Sequence, residues 1–146
     1  EITDQIWVTR GIPGATGNVH FSMRAFMQNP DSLNERLLAG PYREAALVPA
    51  SPWLGGRVLP PPRVTFAPGV QGHFSLHLAP ADGERPRWWI IRTRRGGAWS
   101  VDVAAGITES YAVVGRRDDA LVDLVVVSAV DRLGTEGRPT FVRPGG

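Results

Sequence analysis

The sequence predicts a mainly β fold, in which a seven-stranded β-sandwich follows a short α/β segment. Residues 121–134, LVDLVVVSAVDRLG, are rich in β-branched side chains and end in turn-forming residues, a pattern typical of a packed strand. Residues 87–93, RWWIIRT, are also apolar on both alternating faces, as expected of a strand buried on both sides. Residues 72–79 alternate between apolar and polar side chains, which indicates a strand with one face toward water.

Chain length and composition limit the classes of protein to consider. The chain has 146 residues, enough for one domain or for one domain with part of another. Because it contains no cysteine, the sequence excludes disulfides, thiolate metal sites and a cysteine nucleophile. No run of about 18 apolar residues occurs, so we expect no membrane-spanning segment. The chain begins at Glu1 without a Met, and we expect it to be a trimmed part of a longer protein.

The charge pattern argues against a nucleic-acid partner. All sixteen basic residues are arginine, but fourteen carboxylates are spread among them, and the formal net charge is only +2. The high isoelectric point therefore reflects the pKa of arginine and not a dense positive surface. Several arginines are expected on neighbouring turns beside Asp118 and Asp119, where a solvated rim of mixed charge is favoured over a site for an anionic polymer. These arginines are Arg92, Arg94, Arg95, Arg116 and Arg117.

The N-terminal part is predicted to combine helical and strand segments. Ile2 and Ile6 would line one side of a short helical end, which the glycines and proline of residues 11–14 break. Residues 18–23, NVHFSM, alternate in the manner of a strand, with Val19, Phe21 and Met23 on one side.

A helix is predicted to follow this strand. Asp31 or Ser32 would cap it, and Glu35 lies within capping-box reach of Ser32. Gly40 and Pro41 would stop it. Its apolar side would consist of Leu33, Leu37 and Leu38.

A linker rich in proline and glycine is predicted between the two parts of the chain. We assign residues 1–54 to the first part, 55–62 to the linker and 63–146 to the sandwich. The predicted strands are 64–66, 72–79, 87–93, 98–103, 111–114, 121–130 and 140–142. This number and spacing fit an immunoglobulin-like or fibronectin type III-like sandwich.

Two groups of residues resemble a known family. The string WWIIR, then Trp99, then LVVVSAVDRLGTEGRP is similar to the C-terminal fibronectin type III-like module of bacterial glycosyl-hydrolase-like family ten proteins. GNVHFSMRAFMQN together with LNERLLAGPYREAALVPASPWL resembles the last strand and helix of the TIM-like (β/α)₈ barrel that precedes that module. The resemblance implies that residues 1–54 are the terminal βα unit of such a barrel.

The resemblance also implies a parent protein that is exported, as a periplasmic protein or an outer-membrane lipoprotein, with a barrel that acts on glycans. It transfers no active site to this chain, because the catalytic groups of a barrel come from the ends of several strands. His20 and Ser22 lie near the end of the one predicted barrel strand. They are candidate contacts at the barrel mouth, although packing within the barrel is the favoured interpretation.

No catalytic, cofactor-binding or metal-binding residues are predicted in this chain. No pair of carboxylates qualifies for glycoside hydrolysis, and neither Ser22 nor Ser75 has an acid and a base nearby in sequence. His73 and His77 lie four residues apart on a predicted strand, so about 13 Å would separate them, too far to share a metal. Surface histidines are the favoured interpretation, and no cofactor is expected.

The tryptophans are the most informative candidates for a binding surface. Trp88 and Trp89 are neighbours on a strand, so one must enter the sandwich and the other must lie outside it. The outward ring, with Trp99 and Val126, could form an apolar interface or stack on a sugar. We favour the interface, because Leu124, Val126 and Val130 are expected on the same outer surface.

We therefore expect a non-catalytic accessory module that packs against a glycan-processing barrel, its intramolecular partner. The alternative is a carbohydrate-binding module that uses the exposed tryptophan to bind a glycan. An enzyme complete within this chain is the least favoured class. Self-association through residues 1–54 stays open, because Val19, Phe21 and Met23 would lack their barrel neighbours.

Overall fold

The computed structural model describes residues 2–69, 73–117 and 119–144. The chain forms two compact units, Glu1–Glu44 and Ala45–Gly146. This division falls before residues 55–62, where the sequence analysis placed the linker. None of the helices in the described ranges has the length and hydropathy needed to cross a bilayer.

The first unit consists of short helices around a small apolar cluster. Its helices are α1 (Ile2–Arg10), α2 (Arg24–Gln28) and α3 (Leu33–Ala39), with a 3₁₀ turn at Pro30–Ser32. The predicted helical end is α1, and the predicted helix is α3, which ends just before Gly40. Leu38 is 65% exposed and does not belong to the apolar side, contrary to prediction. The buried members of the cluster are Ile6, Leu33 and Leu37.

The predicted strand at residues 18–23 is wrong. No strand occurs among residues 2–44; residues 18–20 are irregular, and α2 begins at Arg24. Val19 and Phe21 are fully exposed. The alternating pattern predicted a strand, but a strand also needs a neighbour that completes its ladder of hydrogen bonds, and this unit supplies none.

Ser32 stands at the N-cap position of α3, one of the two predicted positions, but its side chain makes no capping hydrogen bond. Asp31 and Ser32 have positive φ angles of 51° and 54°, which are not the extended angles of an N-cap residue. Asn29 takes over the role, because its Oδ1 accepts a hydrogen bond from the backbone N–H of Asn34 at 2.8 Å. The Asn29 amide nitrogen donates to both carboxylate oxygens of Glu35, at 3.2 and 3.0 Å.

The second unit is a sandwich of two antiparallel sheets. Its strands are β1 (Arg63–Pro68), β2 (His73–Ala79), β3 (Trp88–Arg95), β4 (Ala98–Ala105), β5 (Ser110–Val114), β6 (Arg116–Arg117), β7 (Ala120–Val130) and β8 (Thr140–Val142). One sheet has the order β1-β2-β5. The other has the order β4-β3-β7, with β6 and β8 both paired to β7.

Each of the seven predicted strands corresponds to a strand in the structure. In the described ranges β6 is an additional two-residue strand that the sequence analysis did not identify. The predicted second strand begins at Gly72, which lies outside the described residues; β2 begins at His73. The mainly β sandwich is therefore confirmed, whereas the α/β barrel character of the first segment is not.

The core lies between the two sheets and follows their alternation. In β2, Phe74, Leu76 and Leu78 are buried, while His73 and His77 on the other face are exposed, as predicted. Trp89 and Ile91 of β3 face this core. The remaining buried members are Leu59, Val113, Val122, Val125, Val127 and Ala129.

Asp131, which follows β7, fixes the turn at that end of the sandwich. Its Oδ1 accepts hydrogen bonds from the backbone N–H groups of Leu133 and Thr135, at 2.8 and 2.7 Å. Its Oδ2 accepts one from the N–H of Arg57 at 2.7 Å, which ties the preceding linker to the turn. A Cβ on Gly56 would lie 2.0 Å from Thr135 Oγ1, so the linker passes this turn too closely for a side chain.

The alternation of β2 generates a prediction about stability. Leu76→Ala removes a side chain that is fully buried between the sheets. We expect it to lower the free energy of unfolding by about 2–5 kcal/mol, because burial is lost and a cavity remains. His77→Ala on the exposed face is the control, with an expected change within about 0.5 kcal/mol. Denaturant unfolding of the whole chain measures both; equal losses would contradict the assignment of the two faces.

Candidate functional site

The candidate binding surface is the outer face of the sheet β4-β3-β7-β8. Residues directly opposite each other in an antiparallel ladder point to the same side, so the register defines the members of this face. We call this set the outer face. Its members from β3 and β4 are Trp88, Ile90, Arg92, Arg94, Trp99, Val101, Val103 and Ala105. Its members from β7 and β8 are Leu124, Val126, Ser128, Val130 and Phe141.

The structure separates the two neighbouring tryptophans as strand geometry requires. Trp89 is 1% exposed and belongs to the core. Its indole Nε1 has no hydrogen-bond partner among the described residues, so it contributes buried area rather than a polar contact. Trp88 is half-buried on the outer face and lies opposite Val130. Trp99 and Val126 share this face, so three of the four candidate interface residues lie on the same side of the sheet.

Two aromatic rings of the outer face are exposed to solvent. Trp99 is 47% exposed and Phe141 is 64% exposed. Phe141 pairs with Val126, which pairs with Arg92 on its other side. The apolar floor of the face consists of Ile90, Val126 and Val130, which are all buried. The surface thus combines a buried apolar floor with exposed aromatic rings at two of its strands.

Arginine side chains lie against both tryptophans of the outer face. The Arg94 guanidinium lies 5.6 Å from the centre of the Trp99 ring, and that of Arg87 lies 4.8 Å from the Trp88 ring. Both distances are within the range of cation–π attraction. Each ring therefore already has a cationic neighbour on one side.

The cations in the middle of the outer face are paired. Arg92 donates to both carboxylate oxygens of Glu136, at 2.5 and 3.0 Å, a two-pronged ion pair. The buried hydroxyl of Ser128 donates to the same carboxylate at 2.5 Å. Arg94 donates to Asp123 at 2.6 Å. These pairs leave the middle of the face without net charge.

The Arg92 hydrogen bond dominates the titration of Glu136. It lowers the pKa of this carboxyl below its usual value; partial burial opposes the shift, and the Ser128 hydrogen bond reinforces it. In return, the hydrogen bond with Glu136 raises the pKa of Arg92. Glu136 is therefore ionised over the whole neutral range, and the pair persists there.

Four of the five arginines predicted to form a mixed-charge rim have individual partners among the described residues. Besides the pairs of Arg92 and Arg94, Arg95 donates to the backbone carbonyl of Val114 at 2.5 Å. Arg116 forms an exposed ion pair with Asp119 at 3.6 Å. Asp118 lies outside the described residues. A mixed-charge edge therefore fits the structure at the residues it describes.

The candidate contacts at the barrel mouth lie in the first unit. His20 Nε2 is 2.6 Å from the hydroxyl of Tyr42, and its ring packs edge-on against Phe26 at 5.3 Å between ring centres. Ser22 is exposed. The contacts of His20 are thus those of a packed side chain. His73 and His77 point to solvent, and the described ranges hold no group of three or more residues suited to a metal ion.

The sequence did not identify Phe141 as a member of the outer face or Glu136 as the partner of Arg92. The alternation of residues 140–142 indicates that Phe141 points to one face of the strand and that Thr140 and Val142 point to the other. It does not indicate which strand pairs with this segment. Glu136 lies in the turn segment after β7 and forms a single bridge with Val130. No local pattern predicts that the Glu136 carboxylate binds Arg92 of β3, because the two residues are 44 positions apart in the sequence.

Comparison with known proteins gives structural likeness only. No protein-family model matches the chain, and no curated protein matches it. The chain is similar to the FN3 domain of human collagen XX, with a TM-score of 0.47 and 22% identity, covering 68% of this chain and all of that one. It is also similar to the FN5 domain of Drosophila Lar, with a TM-score of 0.44 and 21% identity, covering 61% of this chain and all of that one.

The Arg92–Glu136 pair generates a prediction about pH. Because the folded state lowers the pKa of Glu136, the pair stabilises the fold above the usual glutamate pKa of about 4.3, and this stabilisation is lost as the pH falls through the lower folded value. Glu136→Gln should lower the melting temperature at neutral pH and weaken its further decrease in acid. Glu109→Gln, at an exposed position, is the control. If the melting temperature of Glu136→Gln fell in acid as steeply as that of the unaltered chain, the stabilising role of the Arg92–Glu136 pair would be contradicted.

Proposed function

We propose that this chain carries a non-catalytic accessory module that docks, through the outer face, on a glycan-processing barrel of the same parent protein. The parent would be a glycosyl-hydrolase-like family ten protein, exported as a periplasmic or outer-membrane-anchored lipoprotein. Sequence resemblance supports this part of the proposal, through WWIIR, LVVVSAVDRLGTEGRP and the barrel-like string GNVHFSMRAFMQN. The docking mode rests on the geometry of the sandwich.

The observation that carries the docking mode is the apolar character of the outer face. A sheet face that meets only water normally carries polar side chains, as the opposite sheet does at His73 and His77. On the outer face, by contrast, Trp99 and Phe141 are exposed beside an apolar floor. Exposed aromatic rings such as these are enriched at contact surfaces between proteins or domains.

The charges of the outer face favour a largely uncharged partner surface. Arg92 and Arg94 would be costly to bury as free cations, but each is held by a carboxylate of the same unit. A partner therefore need not supply compensating charge. Their aliphatic stems add apolar area beside the aromatic rings.

The arrangement of the tryptophans favours docking over glycan binding. Trp99 lies opposite Arg94, which is six residues along β3 from Trp88, so about 20 Å separates the two positions. Adjacent sugar units could not stack on both rings at this distance. A sugar on either ring would also compete with its arginine neighbour. Glycan binding nevertheless stays the alternative function, because Trp99 is exposed on one sheet edge.

The first unit supplies a second argument for a parent barrel. Val19 and Phe21 are large apolar side chains that are fully exposed in this unit. In the parent protein, a neighbouring part of the barrel would cover these side chains. A second copy of the chain could cover them as well, so self-association is the competing explanation of this segment.

A pair of charge insertions tests the docking mode. Trp99→Asp places a carboxylate on the outer face, and Val114→Asp places one at an exposed position on the outside of the opposite sheet. In the parent protein, Trp99→Asp should lower the melting temperature of the barrel, because the contact would bury an unpaired charge. Val114→Asp should leave it unchanged. Circular dichroism of both variants checks that the sandwich still folds.

Two outcomes would contradict the docking mode. One is unchanged melting of the barrel in the Trp99→Asp protein while the sandwich stays folded. The other is quenching of tryptophan fluorescence by a soluble glycan that Trp99→Ala abolishes, since this would favour the carbohydrate-binding alternative. Absence of any fluorescence response across a broad glycan set would dispose of that alternative.

A further inference from the structure

A cleft of about 440 Å³ opens in the sandwich unit, where the linker passes the end of β7. Its charged lining consists of Arg57, Arg85, Arg87, Arg132, Glu84 and Asp131. Apolar lining groups include Leu59 and Leu133. The volume lies within the range typical of sites for small molecules, about 300–1,000 Å³.

The acidic groups of the cleft are already occupied. Glu84 forms an ion pair with Arg57, which also pairs with Asp82 at 2.7 Å. Asp131 accepts three backbone N–H groups, and although partial burial opposes it, these hydrogen bonds keep the pKa of Asp131 below its usual value. Both carboxylates are therefore hydrogen-bonded within the protein, and neither neutralises the remaining arginines directly.

The remaining arginines are available to a ligand. Arg85 and Arg132 are exposed, and within residues 2–69, 73–117 and 119–144 neither has an acidic side chain within ion-pair distance. Arg87 lies over the Trp88 ring, which orients its guanidinium without neutralising it. Four arginines against two carboxylates give the lining an excess of positive charge.

The backbone around these arginines is fixed before any ligand binds. Pro86 is buried between Arg85 and Arg87, and the N–H of Arg87 donates to the carbonyl of Val130 at 2.7 Å. Arg132 belongs to the turn that Asp131 holds. Binding would therefore order side chains only, which lowers its entropic cost.

We propose that this cleft binds a small anionic molecule through carboxylate or phosphate groups, with Arg85 and Arg132 as the principal contacts. A planar guanidinium donates two parallel hydrogen bonds to either kind of group, which is why arginine recurs in sites for both. The apolar wall formed by Leu59 and Leu133 would contact the uncharged body of the ligand. The cleft is a different surface from the outer face, and anion binding there does not depend on the proposed docking.

Titration of the chain with inorganic phosphate and with citrate tests the proposal, with sodium chloride at matched ionic strength as the reference. Backbone amide chemical shifts of residues 84, 85, 87 and 131–133 report binding. We expect saturable shifts with at least one of the two anions, and which anion binds distinguishes a phosphate ligand from a carboxylate ligand. The double variant Arg85→Gln/Arg132→Gln should bind at least about tenfold more weakly.

Arg143→Gln is the matched control. Arg143 is an exposed arginine just after β8, and continuing the β7–β8 register places it about 23 Å along β7 from Asp131. It should retain the affinity of the unaltered chain within about twofold. Saturation by neither anion, or equal weakening in the control and in the double variant, would overturn the proposal. Unchanged dispersion of the amide spectrum in the double variant shows that it is folded.

Discussion

The pairing of β3 with β7 is the constraint on which the rest of the sandwich depends. The two strands pair from Trp88 opposite Val130 to Arg95 opposite Val122, with one irregularity at Arg94 and Arg95. Because β4 and β8 flank them, both are internal strands, and nearly all of β7 is buried on both faces. Trp89 and Val127 thereby face the core, while every second residue builds the outer face. A shift of one residue would exchange the two sets, so the burial of Trp89 and the position of Trp88 have the same cause.

Two surfaces of different chemistry begin at this strand pair. Along its length, the outer face is apolar and its cations are paired with carboxylates. At its end, Asp131 turns the chain, ties down the linker at Arg57 and so gives the arginine-rich cleft a fixed wall. The first surface suits a neighbouring protein body and the second a small anion. Arg87 connects them, since it lines the cleft and lies over Trp88.

Local patterns in the sequence were sufficient for most of the sandwich. The β-branched run of β7, the alternation in β2 and the two adjacent tryptophans each depend on side-chain periodicity, which a strand obeys wherever it lies. Residues 18–23 have the same periodicity but no pairing strand, so the pattern alone gave a wrong prediction. The Asn29 cap of α3, the return of Glu136 to Arg92 and the cleft all depend on chain geometry or on contacts distant in sequence. Composition gave no sign that several arginines would line one cleft.

Native-state hydrogen exchange tests the central role of the β3–β7 pair most directly. The amides of residues 125–130 and of the paired residues in β3 are expected to exchange most slowly of all, and only through global unfolding, because these strands lie inside the sheet and are largely buried on both faces. The amides of β1, at the edge of the opposite sheet, should exchange faster through local opening. Exchange of residues 125–130 as fast as that of β1 would contradict the central role of the β3–β7 pair in the sandwich.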